Sequence, residues 1–168
     1  GVISLETVIR GTCSPKRLLD LIENYCLFKE APGGLIKIIA KNHQYLGVTN
    51  AIEALEEVGK RDGRLGVFWH TQGSGKSLSM VFFTGKIVLS LDNPTILVIT
   101  DRNDLDDQLF DTFASSTQLL RQEPVQAQSR GHLKQLLKVA SGGVVFTTIQ
   151  KFYPDNGNVY EELSDRQN

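Results

Sequence analysis

The chain has only two cysteines, Cys13 and Cys26, and no excess of either charge. Two isolated thiols form neither a disulfide framework nor a zinc site, and free thiols are typical of proteins from a reducing cytosol. The 18 basic and 19 acidic residues give a net charge of −1, so the sequence lacks a broad electrostatic footprint for nucleic acid. Any contact with nucleic acid must therefore be local, or completed by parts outside these residues.

Long apolar runs are also lacking, since no run approaches the roughly 18 residues that cross a bilayer. The N-terminus carries neither the basic region nor the cleavage signature of a signal peptide. We therefore expect a cytoplasmic protein that makes no membrane contact. What the chain does have is 168 residues, of which 40% are hydrophobic, and this is enough for one domain with its own core.

The most informative segment is Val67–Ser77, with the sequence Val-Phe-Trp-His-Thr-Gln-Gly-Ser-Gly-Lys-Ser. Its apolar beginning predicts a strand over Leu65–Trp69, and the apolar residues after it predict a helix over Lys76–Leu89. A glycine-rich turn between a strand and a helix can direct backbone N–H groups at phosphate oxygens, and the helix N-terminus adds its positive dipole end. The alternative is a flexible glycine turn with a solvated lysine, but the flanking elements favour a phosphate loop.

This loop predicts a site for a nucleoside triphosphate. Lys76 would reach the β- and γ-phosphates and is the predicted catalytic residue, while Ser77 would place its hydroxyl on Mg²⁺. His70 stands where the usual pattern has its first glycine, and we assign it no chemistry because no Cys or His follows at metal-ligand spacing. The predicted nucleotide-binding residues of the loop are Thr71, Gln72, Gly73, Ser74, Gly75, Lys76 and Ser77.

Helices and strands alternate along the rest of the chain. Apolar strands of this kind, separated by helices, predict an α/β fold with a layered parallel sheet. The polar Ala114–Gly131 stretch has room for a short edge strand, Leu35–Ile39 fits a strand or a helix start, and Ala31–Gly34 ends the first helix. Predicted helices cover Pro15 to about Cys26, Asn42–Val58, Lys76–Leu89, Asp104–Phe113 and His132–Ala140, and predicted strands cover Leu65–Trp69, Thr95–Ile99 and Gly143–Thr147.

Asp101 separates two classes of phosphate-loop protein. It follows an apolar strand, and in a small nucleotide kinase or GTPase such a carboxylate would hold Mg²⁺. In a helicase-type motor, the strand after the loop contacts nucleic acid instead. Thr100, Arg102 and the N-terminus of the following helix suit a contact with a phosphodiester backbone, although the four acidic residues of Thr100–Leu109 argue against a broad electrostatic attraction. A solvated helix N-terminus explains the segment equally well.

Three segments carry a resemblance to a known family. They are Trp69–Ser77 (Trp-His-Thr-Gln-Gly-Ser-Gly-Lys-Ser), Val98–Gln108 (Val-Ile-Thr-Asp-Arg-Asn-Asp-Leu-Asp-Asp-Gln) and Thr147–Phe152 (Thr-Thr-Ile-Gln-Lys-Phe). In order and spacing they resemble the first motor lobe of the restriction (R) subunit of type I restriction-modification enzymes, a superfamily-2 helicase-like translocase. The first segment is shared by many families, and the other two are far more particular. The resemblance covers about residues 35–152.

The resemblance implies a RecA-like P-loop NTPase lobe with ATP and Mg²⁺ as cofactors. Thr100 and Arg102 would correspond to motif Ia, and Thr147 and Thr148 to motif Ib, and both motifs face the DNA backbone. Gln44 would read the adenine edge, and Phe28 could cover the base. The alternatives are an exposed helix residue for Gln44 and a core aromatic for Phe28.

The resemblance also implies what lies outside the chain. No Asp-Glu pair follows an apolar strand before Asn168, so the sheet is expected to stop before the Walker B strand. We expect a helical linker over residues 1–34, a partial motor lobe over 35–152 and a partly disordered tail over 153–168.

The implied whole is an ATP-dependent DNA translocase and type I site-specific deoxyribonuclease. Its implied partners are double-stranded DNA and the methyltransferase and specificity subunits. We expect the isolated chain to bind nucleotide weakly or not at all, and to hydrolyse essentially none. A non-catalytic alternative is a fragment that docks onto those subunits, which a pull-down against them would test.

Overall fold

A computed structural model describes residues 5–91, 94–101, 103–139, 142–153 and 163 of the chain. These divide into two units, residues 1–86 and 87–168. The expected boundaries at residues 34 and 152 remain a prediction. The predicted disordered tail lies outside the described residues except for Tyr153 and Leu163.

The first unit begins with helices and a hairpin. The helices α1 (Leu5–Arg10) and α2 (Pro15–Asn24) precede the antiparallel strands β1 (Cys26–Ala31) and β2 (Gly34–Ile39). The prediction that the second of these helices reaches Cys26 was therefore wrong, because Cys26 pairs with Ile39 in the hairpin. The turn at Pro32 and Gly33 joins two strands and does not end a helix.

Three helices of this unit pack around the buried aromatic side chain of Tyr25. Helix α3 (Asn42–Leu55) is followed by a 3₁₀ turn (Val58–Arg61), and α4 begins at Lys76 and runs to Ser90, close to the prediction. Tyr25 is fully buried, with its ring centroid 4.8 Å from that of Tyr45 and 5.5 Å from that of Phe82. Burial raises the pKa of the Tyr25 hydroxyl to about 12.

An ion pair between Asp20 and Lys86 links α2 to α4. Lys86 Nζ lies 2.7 Å from Asp20 Oδ1, and Asn24 and Tyr45 also donate to this carboxylate. Burial raises the pKa of Asp20, but these hydrogen bonds and the charge of Lys86 outweigh it, so the pKa lies below its ordinary value of 3.8. The contribution of this ion pair to the free energy of unfolding is therefore fully present at neutral pH. It is lost as the pH falls through the lowered pKa of Asp20.

The strand predicted over Leu65–Trp69 is absent from the structure, and that prediction was wrong. Residues 64–70 are described as irregular chain, with Val67 91% and Trp69 86% exposed. Apolar residues form a strand only where a neighbouring strand accepts from their N–H groups and donates to their C=O groups. Phe68 lies against α3, since a Cβ added to Gly47 would come within 2.5 Å of its ring.

The second unit contains a three-stranded parallel sheet. Its strands are β3 (Thr95–Thr100), β4 (Pro124–Gln126) and β5 (Gly143–Thr148), in the order β3-β5-β4. The α/β fold with a parallel sheet is thus confirmed, and so is the short edge strand between residues 114 and 131. The central β5 is buried from Val144 to Thr148. Within the described residues β3 is an edge strand, and its Ile99 side chain is exposed.

Helices cover this sheet. The helix α5 (Asn103–Ala114) is followed by α6 (Thr117–Leu120) and α7 (Arg130–Leu137), and a 3₁₀ turn (Ile149–Phe152) follows β5. The predicted helices over Asp104–Phe113 and His132–Ala140 are confirmed in position, although α7 ends at Leu137. The Phe113 and Phe146 rings meet edge to face at 4.9 Å, and Leu163 packs on a cluster of Ala127, Leu133 and Val145.

Candidate functional site

The glycine-rich turn before α4 has the backbone conformation that its sequence predicts. Gly73 has φ +76° and Gly75 has φ +85°, and glycine adopts such angles without the strain that a side chain brings. Ser74 N–H donates to Thr71 O at 3.3 Å, which closes the turn. Apart from its two neighbours in the chain, no described residue lies within 4 Å of a Cβ added to Gly73. The backbone of the loop therefore has a defined conformation, and the space beside Gly73 is open.

Lys76 begins α4 and folds back over the loop. Its Nζ donates to His70 O and Thr71 O, both at 3.1 Å, in an exposed position. These acceptors are neutral carbonyls, so phosphate oxygens would offer the ammonium stronger, charge-assisted bonds. The half-buried Ser77 follows directly in the first helical turn.

Unsatisfied donors make the loop fit a phosphate chain. The buried Ser74 Oγ has no hydrogen-bond partner in the described residues. The first N–H groups of α4 have no acceptor within the helix, and the helix dipole favours an anion at this end. An anion with several oxygens would satisfy both kinds of group, and Ser77 could then hold Mg²⁺ beside it.

Helix α3 contacts the loop from the other side. His43 Nε2–H donates to Ser74 O at 3.0 Å, and Gln44 Nε2 donates to Gly75 O at 2.9 Å. Gln44 Oε1 also accepts from Lys41 N–H at 2.8 Å, and Gln44 is only 2% exposed. The structure thus brings Gln44 to the loop, with both ends of its amide on backbone groups. Its predicted contact with adenine, and the one predicted for the exposed Phe28 on β1, remain predictions.

Aromatic rings and a groove lie beside these contacts. The His70 ring meets the His43 ring edge to face at 4.9 Å, and the tilted Phe68 ring lies 4.4 Å from it on centroids. A groove of about 600 Å³ runs between α3, residues 65–70 and α4, and Lys76 is among its lining residues. Sequence reasoning missed His43, because a histidine 31 positions before the serine it contacts gives no local signal.

The predicted DNA-contacting residues belong to the second unit. Thr100 pairs with Thr148 in the parallel register, so the ends of β3 and β5 lie side by side. Thr147 is 0% and Thr148 is 2% exposed, and Arg102 lies outside the described residues. Gln150, which the sequence did not single out, donates to Asp101 O at 2.8 Å and joins the two strand ends. Contact of these residues with DNA remains a prediction.

The described part of the chain offers neither a metal centre nor a membrane span. It holds no group of three His, Cys, Asp or Glu side chains that could bind a metal ion, and both cysteines are free thiols. None of its described helices is long and apolar enough to cross a membrane.

Known proteins match most of this chain. Residues 43–168 match the family described as SWI2/SNF2 ATPase. The type I restriction enzyme HindI endonuclease subunit of Haemophilus influenzae is 51% identical over 156 residues, which are 88% of this chain and 15% of that protein. A protein of Methanocaldococcus jannaschii named for the MjaIXP endonuclease subunit of a type I restriction enzyme is 32% identical over 173 residues, 98% of this chain and 16% of that protein.

These matches confirm the resemblance to type I restriction subunits that the three segments predicted. The type I restriction enzyme SauCOLORF180P endonuclease subunit of Staphylococcus aureus matches too, at 27% identity over 149 residues, 88% of this chain and 15% of that protein. The chain therefore spans only a small part of the length of these relatives.

Proposed function

We propose that this chain, which belongs to the SWI2/SNF2 ATPase family, binds ATP and Mg²⁺ through the loop at residues 70–77. The observation that carries the proposal is the pair of glycines at positive φ directly before α4, beside a buried Ser74 hydroxyl for which the described residues provide no hydrogen-bond partner. Lys76 would hold the β- and γ-phosphates, Ser77 the Mg²⁺, and the exposed Thr71 and Gln72 would border the phosphates. ATP bound here supplies the phosphoryl group whose transfer to water drives a motor.

The direct test is a titration of the chain with ATP and Mg²⁺, followed by the backbone amide signals of residues 71–77 in NMR spectra. We expect weak binding, in the millimolar range, with the largest shifts in this loop and no phosphate release above the uncatalysed rate. Binding that leaves the loop signals unchanged, or robust turnover, would contradict the proposal.

Asp101→Ala decides between a motor lobe and a nucleotide kinase or GTPase. In a motor lobe Asp101 takes no part in holding Mg²⁺, so Mg²⁺-dependent ATP binding should be unchanged in the variant. A kinase-like or GTPase-like site would lose that binding. The 51% identity to a restriction endonuclease subunit supports the motor.

The whole protein, we propose further, is the ATP-dependent translocase and endonuclease subunit of a type I restriction system. It would act on double-stranded DNA in the cytoplasm, in a complex with methyltransferase and specificity subunits. The identities to the endonuclease subunits of such enzymes support this. Because the chain spans only 15% of the HindI subunit, ATP hydrolysis and DNA cleavage would belong to the longer protein.

The end of β3 is the candidate contact with the DNA backbone. Thr100 ends this strand and Arg102 follows, whereas Thr147 and Thr148 are buried and would have to be uncovered to reach a phosphate. We expect Arg102→Ala to weaken binding to a short duplex and to reduce the slope of log affinity against log salt by about 1. Fluorescence anisotropy over a salt series measures both.

Lys138→Ala is the matched control for the Arg102 variant. It removes one exposed positive charge at the end of α7. We expect its salt slope to equal that of the unchanged chain. Equal effects of the two variants would mean that DNA senses only the net charge of the chain, and the proposed contact at the end of β3 would be wrong.

A further inference from the structure

We infer that His43 and Gln44 are positioning residues of the phosphate loop, which hold two of its carbonyls so that its N–H groups face the phosphates. The inference rests on the proposed function of the loop. It assigns to the first turn of α3 a role in binding the triphosphate chain, and it assigns Gln44 a role that does not depend on the identity of the base.

Two consecutive side chains contact two consecutive carbonyls. His43 Nε2–H donates to Ser74 O, and Gln44 Nε2 donates to Gly75 O, at 3.0 and 2.9 Å. The Gln44 amide is itself fixed, because its Oε1 accepts from Lys41 N–H and the side chain is buried. The first turn of α3 is therefore a rigid support for residues 74 and 75.

The geometry of the peptide group fixes where the N–H groups next to these carbonyls point. A trans peptide is planar, so its N–H points opposite to its C=O. With the carbonyl of Ser74 directed at His43 in α3, the N–H of Gly75 points away from α3. Gly75 O is shared, because it accepts from Gln44 and also from the Ser79 N–H at 3.1 Å and the Ser79 hydroxyl at 3.3 Å in α4. The N–H of Lys76 therefore points away from these donors, at the N-terminal end of α4, and the loop presents two successive backbone donors.

A loop with two glycines needs such support. Gly73 and Gly75 are the residues with the least restricted backbones, so an unsupported loop would lose much conformational entropy when it closed on a phosphate. Holding the loop in its binding conformation before the ligand arrives reduces that loss and raises affinity. We therefore assign the hydrogen bonds from His43 and Gln44 a role in preorganising the loop.

His43 can act in either protonation state. Ser74 O only accepts, so His43 Nε2 must carry the proton that is shared between them. A neutral Nε2–H imidazole and an imidazolium both supply it. The support therefore requires no charge on the ring, and His43→Phe removes the donor while it keeps an aromatic ring beside His70.

The test uses Gln44→Glu and His43→Phe in the full 168-residue chain. Gln44→Glu keeps the shape and the acceptor for Lys41 N–H but replaces the donor to Gly75 O with an oxygen. Gln135→Glu makes the same chemical change at an exposed position of α7 and serves as the control. NMR order parameters of residues 73–76 are measured without ligand, and affinities are measured for ATP, GTP and tripolyphosphate with Mg²⁺.

We expect both variants, but not the control, to lower the order parameters of the Gly75 and Lys76 amides. We also expect both to weaken all three ligands by the same factor, about three- to tenfold for a lost hydrogen bond. A loss confined to ATP would overturn the inference and make Gln44 a reader of adenine. Unchanged order parameters in a folded variant would overturn it too.

The design separates this inference from the proposed function. If the unchanged chain binds none of the three ligands, the proposed function fails, while the order parameters of the ligand-free chain still decide whether α3 holds the loop. If Gln44→Glu fails to fold, the exposed His43 gives the milder variant that decides.

Discussion

Lys76→Ala is expected to weaken binding of ATP and Mg²⁺ by about 10- to 100-fold, the loss that follows when a hydrogen-bonded charge is removed from an anion site. Among the described residues, the Lys76 ammonium donates to the carbonyls of His70 and Thr71, in an exposed position. Losing those contacts should change the free energy of unfolding by no more than about 0.5 kcal/mol. Affinity should therefore fall sharply while stability does not.

Titration of the amide signals of residues 71–77 measures the affinity, and urea unfolding measures the stability. Lys60→Ala is the control, since it removes an exposed lysine from the same unit, whose ion pair within the described residues is with Glu57 at 3.7 Å. Its affinity for ATP should stay at that of the unchanged chain. If both lysine variants lose affinity equally, ATP responds to the net charge and the loop is not its site.

Gly75→Ala is expected to lower the free energy of unfolding by about 2 to 3 kcal/mol, from backbone strain together with a lost hydrogen bond. The new Cβ would stand at φ +85° and only 2.7 Å from Gln44 Nε2, so the buried amide must move off Gly75 O. Gly73→Ala is the matched variant, because it has φ +76° and open space around the Cβ. Strain alone should cost it about 1 kcal/mol.

Urea unfolding measures the free energy of unfolding of Gly75→Ala and of Gly73→Ala. The difference between the two values is the cost of displacing Gln44. A cycle with Gln44→Ala sharpens it, since removal of the amide should abolish most of the difference between Gly75→Ala and Gly73→Ala. Equal destabilisation by the two glycine variants would show that the Gln44 side chain moves away from Gly75 O without a cost in free energy. In that case the support of the loop by α3 would also be weak.

The position of the loop and of the helices could be predicted from sequence. Gly73 and Gly75 are residues that the required φ angles select, and the apolar spacing in α3, α4, α5 and α7 follows from which helix faces are covered. The hairpin of β1 and β2 was missed because Tyr25 and Cys26 continue the apolar spacing of α2, which extended the predicted helix into the first strand. Only the pairing of Cys26 with Ile39 reveals where the helix ends.

The remaining differences come from contacts between residues far apart in sequence. Leu65–Trp69 has the composition of a strand, but a strand also requires a paired neighbour, and composition does not supply one. Thr147 and Thr148 have the hydroxyls of a surface contact, yet the sheet buries them. The contacts of His43 with Ser74 and of Gln150 with Asp101 span 31 and 49 positions, so no local pattern records them.

The exposed indole beside the loop has a practical consequence. Trp69 is the single tryptophan of the chain, it is 86% exposed, and it precedes Thr71 by two positions. Indole fluorescence moves to shorter wavelength when water is removed from around the ring. Binding of any strand, lobe or subunit that covers residues 67–69 should therefore shift the fluorescence emission of Trp69 to shorter wavelength, and no attached dye is needed to detect it.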